Sequence, residues 1–445
     1  MRPAGLPGGG RSAARPSPPS RLGPLRSRNY ALYWVGLACS NTGRWIEVTG
    51  SIWLLYELTS SPAALAVLGV VTAIPTLIVQ PLAGVIVDRV DHKRLLLLTQ
   101  ALAILGSLVL WLLVVLGLVQ AWHIYVEVAF GAVVASFDVS VRQAFFPRLV
   151  PRDQLSDAVT LNSTAGRSSA LIGPAIGGIL IATYGSAAPY LVNAVTFLGL
   201  IAAVLLMHGI APIATRARAP FGQALSQGMR YMLDAPVLRG LLKLELVFGI
   251  FQLNPVVIAV IGREILDVGP AGLGGLLAAP ALGSIPGLAL LILRGQPGRG
   301  GRFVVACQIA YAAGLVAIGL SHSYAVTFVL LALVGFLDVL TTVVRNSLTQ
   351  LAAPGEMRGR IVANMRVVTG GVGPLAQTQS GILASVIGAP GSLAVAAVAL
   401  FASASSTVWQ SPALWRFSRH DWEVEPEVEP EVVPPAVTTS AQAGP

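Results

Sequence analysis

Charged residues are scarce in this chain. Only 11% of its 445 residues are Asp, Glu, Lys or Arg, against roughly a quarter in a typical soluble domain. Hydrophobic residues reach 54% of the total, and a single soluble core could not bury that much apolar surface. The composition therefore predicts a membrane protein, with the lipid bilayer as its solvent.

Cysteine and histidine are also rare. The two cysteines, Cys39 and Cys307, lie in apolar runs and are too few for a disulfide framework or a metal site. The five histidines are scattered over loops and segment ends, without the spacing of a catalytic group. The sequence also has no Gly-x-x-x-x-Gly-Lys-Ser/Thr loop for a nucleotide. We therefore expect no metal, no cofactor and no enzymatic activity.

The arginines lie in short clusters between apolar runs, so the net charge of +9 does not indicate a nucleic-acid partner. Arginine-bearing and nearly bare connections alternate along the chain, and Arg263 is the one interruption of this pattern. Because cytoplasmic loops are enriched in Lys and Arg, the alternation predicts an even number of spans and two cytoplasmic termini.

About twelve apolar segments of roughly 18–26 residues follow one another, separated by Pro, Gly and charged residues. The longest connection divides them six and six. The predicted fold is an all-α membrane protein with twelve transmembrane helices in two pseudo-symmetric six-helix lobes. The predicted parts are a disordered N-terminal tail (1–28), an N-terminal lobe (29–210), a cytoplasmic linker (211–238), a C-terminal lobe (239–415) and a disordered acidic, Pro-rich tail (416–445). Within the linker, Phe221–Leu233 has the pattern of a short amphipathic helix, although a simple tether is the favoured interpretation.

The two halves repeat a pattern. An acid, an arginine and a Gly-Pro step recur in the same order: Asp138, Arg142 and Gly173-Pro174, then Asp338, Arg345 and Gly373-Pro374. A repeated membrane unit with an acid in each copy is typical of a two-lobed transporter, which handles its substrate where the lobes meet.

The connection Gly84-Val85-Ile86-Val87-Asp88-Arg89-Val90-Asp91-His92-Lys93-Arg94 resembles the signature loop of the major facilitator superfamily, with Asp91 in place of a glycine. Five further stretches resemble the drug and siderophore exporter branch, which includes enterobactin-exporter-like and macrolide-efflux-like proteins: Asn41–Trp45, Tyr56–Pro62, Phe137-Asp138 with Arg142–Phe145, Leu161–Ser163 before Ile172–Pro174, and Pro354–Arg360. The resemblance covers roughly Arg26 to Trp415. It implies the major facilitator fold, with segments one, four, seven and ten around a central cavity. It also implies an inner gate formed by Gly84, Asp88, Arg89, Lys93, Arg94 and Arg142.

Small residues in segment five, Gly173, Pro174, Gly177 and Gly178, predict close packing against a neighbouring helix. In the family that this chain resembles, such a run is associated with exporters that exchange substrate for protons. Ordinary close helix packing and a role in proton exchange are both compatible with this run of small residues, and the two interpretations do not exclude each other.

Charged and polar residues inside the apolar segments are costly and need either a partner or a function. The candidates for proton or substrate handling are Arg44, Glu47, Asp138, Asn254 and Asp338. Arg44 and Glu47 lie three residues apart on one helix face. They form either a self-neutralising ion pair or a desolvated proton-carrying carboxylate moderated by an arginine.

The other charges have simpler expected roles. Asp138 with Arg142 forms either a cytoplasmic latch or a proton carrier, and the resemblance suggests Asp88 as a partner of Arg142. Asp338 with Arg345 repeats this theme at wider spacing. Glu127, Glu245 and Lys243 are expected to reach the interface, and Asn254-Pro255 predicts a kink.

These observations predict a secondary active transporter in the bacterial inner membrane. The predicted activity is proton-coupled export of a drug, antibiotic or siderophore by a monomer, with a small-molecule substrate, protons and the bilayer as partners. An importer or a lysophospholipid-type flippase on the same fold remains the alternative, and a polytopic membrane enzyme is a remote one.

Overall fold

The computed structural model describes residues 23–87, 89–209, 221–354 and 357–416. Over this range the chain is helical, and its α-helices are α1 (Arg28–Thr59), α2 (Pro62–Val87), α3 (His92–Val115), α4 (Ala121–Phe145), α5 (Leu155–Tyr184), α6 (Ala188–Leu205), α7 (Phe221–Asp234), α8 (Pro236–Phe251), α9 (Pro255–Val260), α10 (Pro270–Arg294), α11 (Gly300–Gly319), α12 (Tyr324–Leu351), α13 (Arg358–Gln410) and α14 (Pro412–Arg416). A π-helical turn, Ile261–Ile265, continues α9. Below, α1–α6 are the first half and α8–α13 the second half.

Ten stretches of the described residues are long and apolar enough to cross a membrane. The predicted twelve segments differ from these ten at two places. Helix α1 is long but carries polar and charged residues along its length. Helix α13 contains two helical arms, which count as one span; they meet at Gly388, whose φ of +74° is a left-handed conformation that favours glycine.

The seventh predicted segment is broken, as the Asn254-Pro255 pair predicts. Helix α8 ends at Phe251, and Asn254 caps the start of α9. The Asn254 side-chain oxygen accepts hydrogen bonds from the backbone N–H groups of Val256 (3.1 Å) and Val257 (3.4 Å). Pro255 occupies the first position of α9, where its missing N–H costs nothing. The predicted kink is therefore confirmed.

One boundary differs from the prediction, and the linker contains a helix. Gly23–Arg26 form a 3₁₀ turn ahead of α1, inside the stretch 1–28 that is predicted to be a disordered tail. Helix α7 covers the whole of the predicted amphipathic stretch, Phe221–Leu233. Its Met232 is fully buried in a core that includes α8 residues, because an apolar helix face gains more by packing than by exposure. The tail residues 417–445 and most of 1–28 lie outside the described residues.

Each half packs within itself, and the halves meet mainly along two helix pairs. In the first half α1 packs against α5 and α6, α2 against α4, and α3 against α4 and α6. In the second half α8 packs against α13, α10 against α12, and α11 against α12 and α13. The two most extensive contacts between halves are α5 with α10 and α2 with α13, and α9 and α10 also touch α1. The two extensive contacts depend on glycine: Gly178 lies against Gly274, and Gly69 against the backbone of Thr378.

The buried cores show where the halves separate. At the end with few arginines, called here the arginine-poor end, one apolar core contains side chains of both halves, among them Leu65, Ile124, Ile258 and Leu315. At the opposite, arginine-rich end, the first half has its own core around Tyr33 and the second half another around Leu241. The halves are therefore closed together at the arginine-poor end and packed separately at the arginine-rich end.

Candidate functional site

A cavity of about 240 Å³ lies between the halves, lined mainly by α1–α4 and closed from the second half by Pro255, Val256 and Gln377. Its walls contain most of the charged side chains that the sequence places inside apolar segments: Arg44, Glu47, Glu127, Asp138 and Arg142. The structure thus brings together four of the predicted residues and adds Glu127. A polar chamber walled by transmembrane helices is the arrangement expected of a transport site.

Glu47 is held by neutral donors. Its carboxylate accepts hydrogen bonds from the Ser107 hydroxyl (2.7 Å) and from the Asn193 side-chain amide. These partners belong to α3 and α6, so the carboxylate turns toward its helix neighbours. Arg44 is exposed to the cavity and makes neither a hydrogen bond nor an ion pair within the described residues. The self-neutralising Arg44–Glu47 ion pair is therefore wrong, because Glu47 has better-placed donors on adjacent helices.

Asp138 and Arg142 form an ion pair one helical turn apart, with 2.7 Å between Oδ2 and Nε. Asp138 also accepts hydrogen bonds from Gln100 (2.7 Å) and Thr99 (3.3 Å). Arg142 donates to the Ser40 hydroxyl at 2.9 Å. Both charged residues are more than nine-tenths buried. The shared helix face is confirmed, because the two opposite charges lie side by side on α4. Asp88 lies outside the described residues.

Glu127 lines the same cavity, so its predicted position at the interface is wrong. Two glycines leave room for it: a Cβ at Gly131 would lie 3.5 Å from its Oε1 atom, and one at Gly106 would lie 3.7 Å away. The sequence holds a signal for this position. Glu127 precedes Asp138 by eleven residues, about three turns of an α-helix, so both point to the same side of α4.

A second cavity of about 230 Å³ lies between α1 and α5 of the first half and α9–α12, with the connection before α9, of the second half. Asp338 and Arg167 line it together with Trp45, Asn254 and Tyr311. Asp338 accepts a hydrogen bond from Thr342 at 3.3 Å. Asn254 donates to the Ser380 hydroxyl of α13 at 2.7 Å, which ties the helix break to α13. Pro255 borders both cavities, so the break in the seventh segment separates them.

Arg345 does not pair with Asp338. Its guanidinium forms an ion pair with Glu245 of α8 and lies 5.3 Å from the centre of the Phe248 ring. Glu245 also accepts a hydrogen bond from Thr369 of α13 at 3.1 Å. The predicted Asp338–Arg345 association is therefore wrong. The interfacial position predicted for Glu245 is also wrong, because only 4% of this residue is exposed.

The signature loop lies at the arginine-rich end, away from the cavity. Asp91, the residue in place of glycine, caps α3 by accepting a hydrogen bond from the Arg94 backbone N–H at 2.8 Å. The Lys93 ammonium donates to the carbonyl of Met207, after the end of α6, at 3.0 Å. Gly84 and Arg89 are exposed, and a Cβ at Gly84 would meet open space. The predicted role of this loop as a gate stays a prediction.

The Gly-Pro segment of α5 packs closely on both sides. Gly173 faces the Trp45 side chain, and a Cβ at Gly177 would lie 3.1 Å from the Ile46 carbonyl oxygen of α1. Gly178 faces the other way, toward α10 of the second half. Pro174 is buried within this helix. The predicted close helix packing is confirmed, and α5 is the helix through which α1 and α10 are held together.

Comparison with known proteins agrees with this architecture. Residues 19–434 match the family described as transmembrane secretion effector, of the major facilitator superfamily. The multidrug efflux pump Tap of Mycolicibacterium fortuitum is 25% identical over 380 residues, which cover 83% of this chain and 91% of Tap. The enterobactin exporter EntS of Shigella boydii is 28% identical over 282 residues, 62% of this chain and 66% of EntS.

Among solved structures, a POT family transporter in complex with a thioalcohol-conjugated peptide superposes with a TM-score of 0.69 at 13% identity, over 87% of this chain and 96% of that one. At this identity the likeness concerns the fold alone. The repeated halves, the polar cavity between them and the match over nearly the whole chain lead to one conclusion: this chain is a multi-pass membrane transporter, not an enzyme, and belongs to the transmembrane secretion effector family of the major facilitator superfamily.

Proposed function

We propose that this chain exports a small molecule, such as a drug, an antibiotic or a siderophore, in exchange for protons. Twelve helices in two six-helix lobes would rock around the cavity and expose it alternately to the two sides of a bacterial inner membrane. Both termini would be cytoplasmic, which makes the arginine-rich end the inner one. The protein would act as a monomer. The exporter names of Tap and EntS support the direction of transport.

The strongest support for proton coupling is the environment of Glu47. This carboxylate lies in the cavity and has neutral hydrogen-bond donors, Ser107 and Asn193, in place of a paired cation. A buried carboxylate that is not held in a direct ion pair can take up and release a proton as its exposure changes. Asp138 is less suited to this task, because releasing it from Arg142 would leave a buried arginine unpaired.

The remaining charges fit auxiliary roles. Arg44 makes no hydrogen bond or ion pair within the described part of the chain and faces the cavity, so it can balance Glu47 or bind an acidic group of the substrate. Asp338 and Asn254, which line the second cavity, would contribute to the handling of protons or substrate. Asp88, Arg89, Lys93 and Arg94 would form the inner gate. Gly173, Pro174, Gly177 and Gly178 would let α1, α5 and α10 slide without intervening side chains.

An accumulation assay tests this proposal. An efflux-deficient bacterium that expresses the chain is loaded with a panel of drugs and siderophores, with and without a protonophore. Lower accumulation that the protonophore abolishes is the expected result, and Glu47→Gln should abolish it too. Glu57→Gln is the matched control, because Glu57 lies on the same helix but is exposed near the arginine-poor end. Raised accumulation would instead identify an importer, and lipid movement without drug efflux would identify a flippase.

A further inference from the structure

Arg263 is the cation that interrupts the charge alternation, and it lies at the arginine-poor end. It belongs to the π-helical turn Ile261–Ile265 that follows α9 in the second half. Short π-helical turns are uncommon and occur often at functional sites. An arginine at the closed end of a transporter needs an explanation beyond lipid anchoring.

The surroundings of Arg263 supply one. Its guanidinium carbon lies 4.5 Å from the centre of the Trp53 ring and 5.5 Å from that of the Tyr56 ring. Both rings belong to α1, in the first half. The same guanidinium donates to the Val268 carbonyl of its own half at 3.3 Å, which fixes the side chain from behind. A cation over aromatic faces at these distances is attracted to them.

The neighbouring residue adds a second contact between the halves. The Tyr56 hydroxyl donates to the Glu264 carboxylate at 3.3 Å. Tyr56 is thus contacted by both residues, through its ring by Arg263 and through its hydroxyl by Glu264. Trp53 is largely buried, with 9% of its surface exposed. Arg263 and Glu264, two consecutive residues of the π-helical turn, therefore both contact the C-terminal end of α1.

We propose that Arg263, with Glu264, is a positioning residue that latches the arginine-poor end shut by holding Trp53 and Tyr56 of α1. Opening at this end separates the halves that share the core there, and the cation–aromatic contact is lost in that step. The latch therefore favours the state that is closed at the arginine-poor end. The inference rests on the proposed alternating access, but on neither the direction of transport nor the substrate.

Distances between spin labels test the latch directly. In a background with Cys39→Ser and Cys307→Ala, one label pair (Leu118→Cys with His322→Cys) spans the arginine-poor end. A second pair (Ser156→Cys with Gly298→Cys) spans the arginine-rich end. All four positions are exposed. Double electron–electron resonance on the full chain in lipid nanodiscs gives the populations of the open and closed states at each end.

Arg263→Gln should raise the ratio of the open to the closed population at the arginine-poor end by about fivefold, within the range of a cation–π contact. The other end should close in step. Arg263→Lys should restore most of the closed population, because an ammonium also binds aromatic faces. Arg302→Gln is the matched control, because it removes a guanidinium that lies 5.2 Å from the centre of the Trp415 ring. Arg302 and Trp415 both follow the connection 210–220 in the chain, so this contact does not join the two halves.

Equal distance distributions for Arg263→Gln and Arg302→Gln would overturn the proposal, and so would a shift that Arg263→Lys does not reverse. If Arg263→Gln fails to elute as a monodisperse protein, Tyr56→Phe decides the matter. It removes only the hydrogen bond to Glu264 and should give a smaller shift in the same direction, and no shift would contradict the latch. Because distances are measured and not transport, a negative result here leaves the export proposal to its own assay.

Discussion

Arg345 of α12 forms its ion pair with Glu245 of α8, although Asp338 lies two helical turns away on the same helix as Arg345. The pair is almost completely buried, with 2% of Arg345 and 4% of Glu245 exposed. Thr369 of α13 donates a hydrogen bond to Glu245. The ion pair and the hydrogen bond to Glu245 thus join three helices of the second half, α8, α12 and α13, into a unit that can move as a whole.

Breaking this pair should destabilise the protein strongly. Glu245→Gln leaves a buried guanidinium without a counter-charge, which costs about 3–5 kcal/mol. Thermal unfolding in detergent, followed by thiol-reactive or intrinsic fluorescence, should show a clearly lowered Tm. Replacing both partners, Glu245→Gln with Arg345→Met, should recover most of the loss because no charge is then left unpaired.

Lys243→Gln is the control for this prediction, since Lys243 is a half-exposed cation two residues away whose partners are Ser406 and Gln410. Its Tm should change little. A double variant no more stable than Glu245→Gln would mean that the ion pair is not the source of the stability.

Charge pairing is also where sequence reasoning fell short. The helix bounds follow from apolar run length and from proline and glycine, so the break at Asn254-Pro255 and the close packing of Gly177 could be predicted. Contacts between helices depend on how each helix is rotated in the bundle. The spacing of Arg44 and Glu47 permits an ion pair. The Glu47 carboxylate instead accepts hydrogen bonds from Ser107 and Asn193, which are far away in sequence. Arg345 prefers Glu245 for the same reason.

Gly177→Val should disturb transport by separating α5 from α1. A Cβ at this position would lie 3.1 Å from both the Ile46 carbonyl oxygen and the Thr49 Cβ, and overpacking of this kind typically costs about 1–3 kcal/mol. We expect reduced export at equal protein level, measured by accumulation and immunoblot. Gly166→Ala is the control on the same helix, because its Cβ would meet nothing within 4 Å. Normal export by Gly177→Val would exclude a need for the contact.

The partner of Arg142 can be identified by a double-mutant cycle. The structure pairs Arg142 with Asp138 at 2.7 Å, whereas the signature loop suggests Asp88. Asp138→Asn and Arg142→Gln should each lower activity and Tm, and together they should cost less than the sum of the two by about 0.5–3 kcal/mol in unfolding free energy.

Asp88→Asn combined with Arg142→Gln serves as the comparison. Additive effects in this second cycle are expected if Asp88 and Arg142 act independently. Conversely, recovery of activity by charge reversal at both Asp88 and Arg142 would favour a gate in which Arg142 exchanges Asp138 for Asp88 during the cycle.

Glu127 should set the charge preference of the cavity without contributing to stability. It lines the cavity near Glu47 and Arg44, and it makes no hydrogen bond within the described residues. Glu127→Gln should therefore leave the Tm unchanged. At a pH at which Glu127 is ionised, this change removes one negative charge from the cavity. It should then weaken binding of a cationic substrate and strengthen binding of an anionic one, each by about tenfold, or 1.4 kcal/mol. Competition binding to the purified protein, with one probe of each charge, measures both effects. Glu57→Gln, outside the cavity, is the control and should change the binding of neither probe. If Glu127→Gln weakens the binding of both probes equally, this carboxylate shapes the cavity and does not select charge.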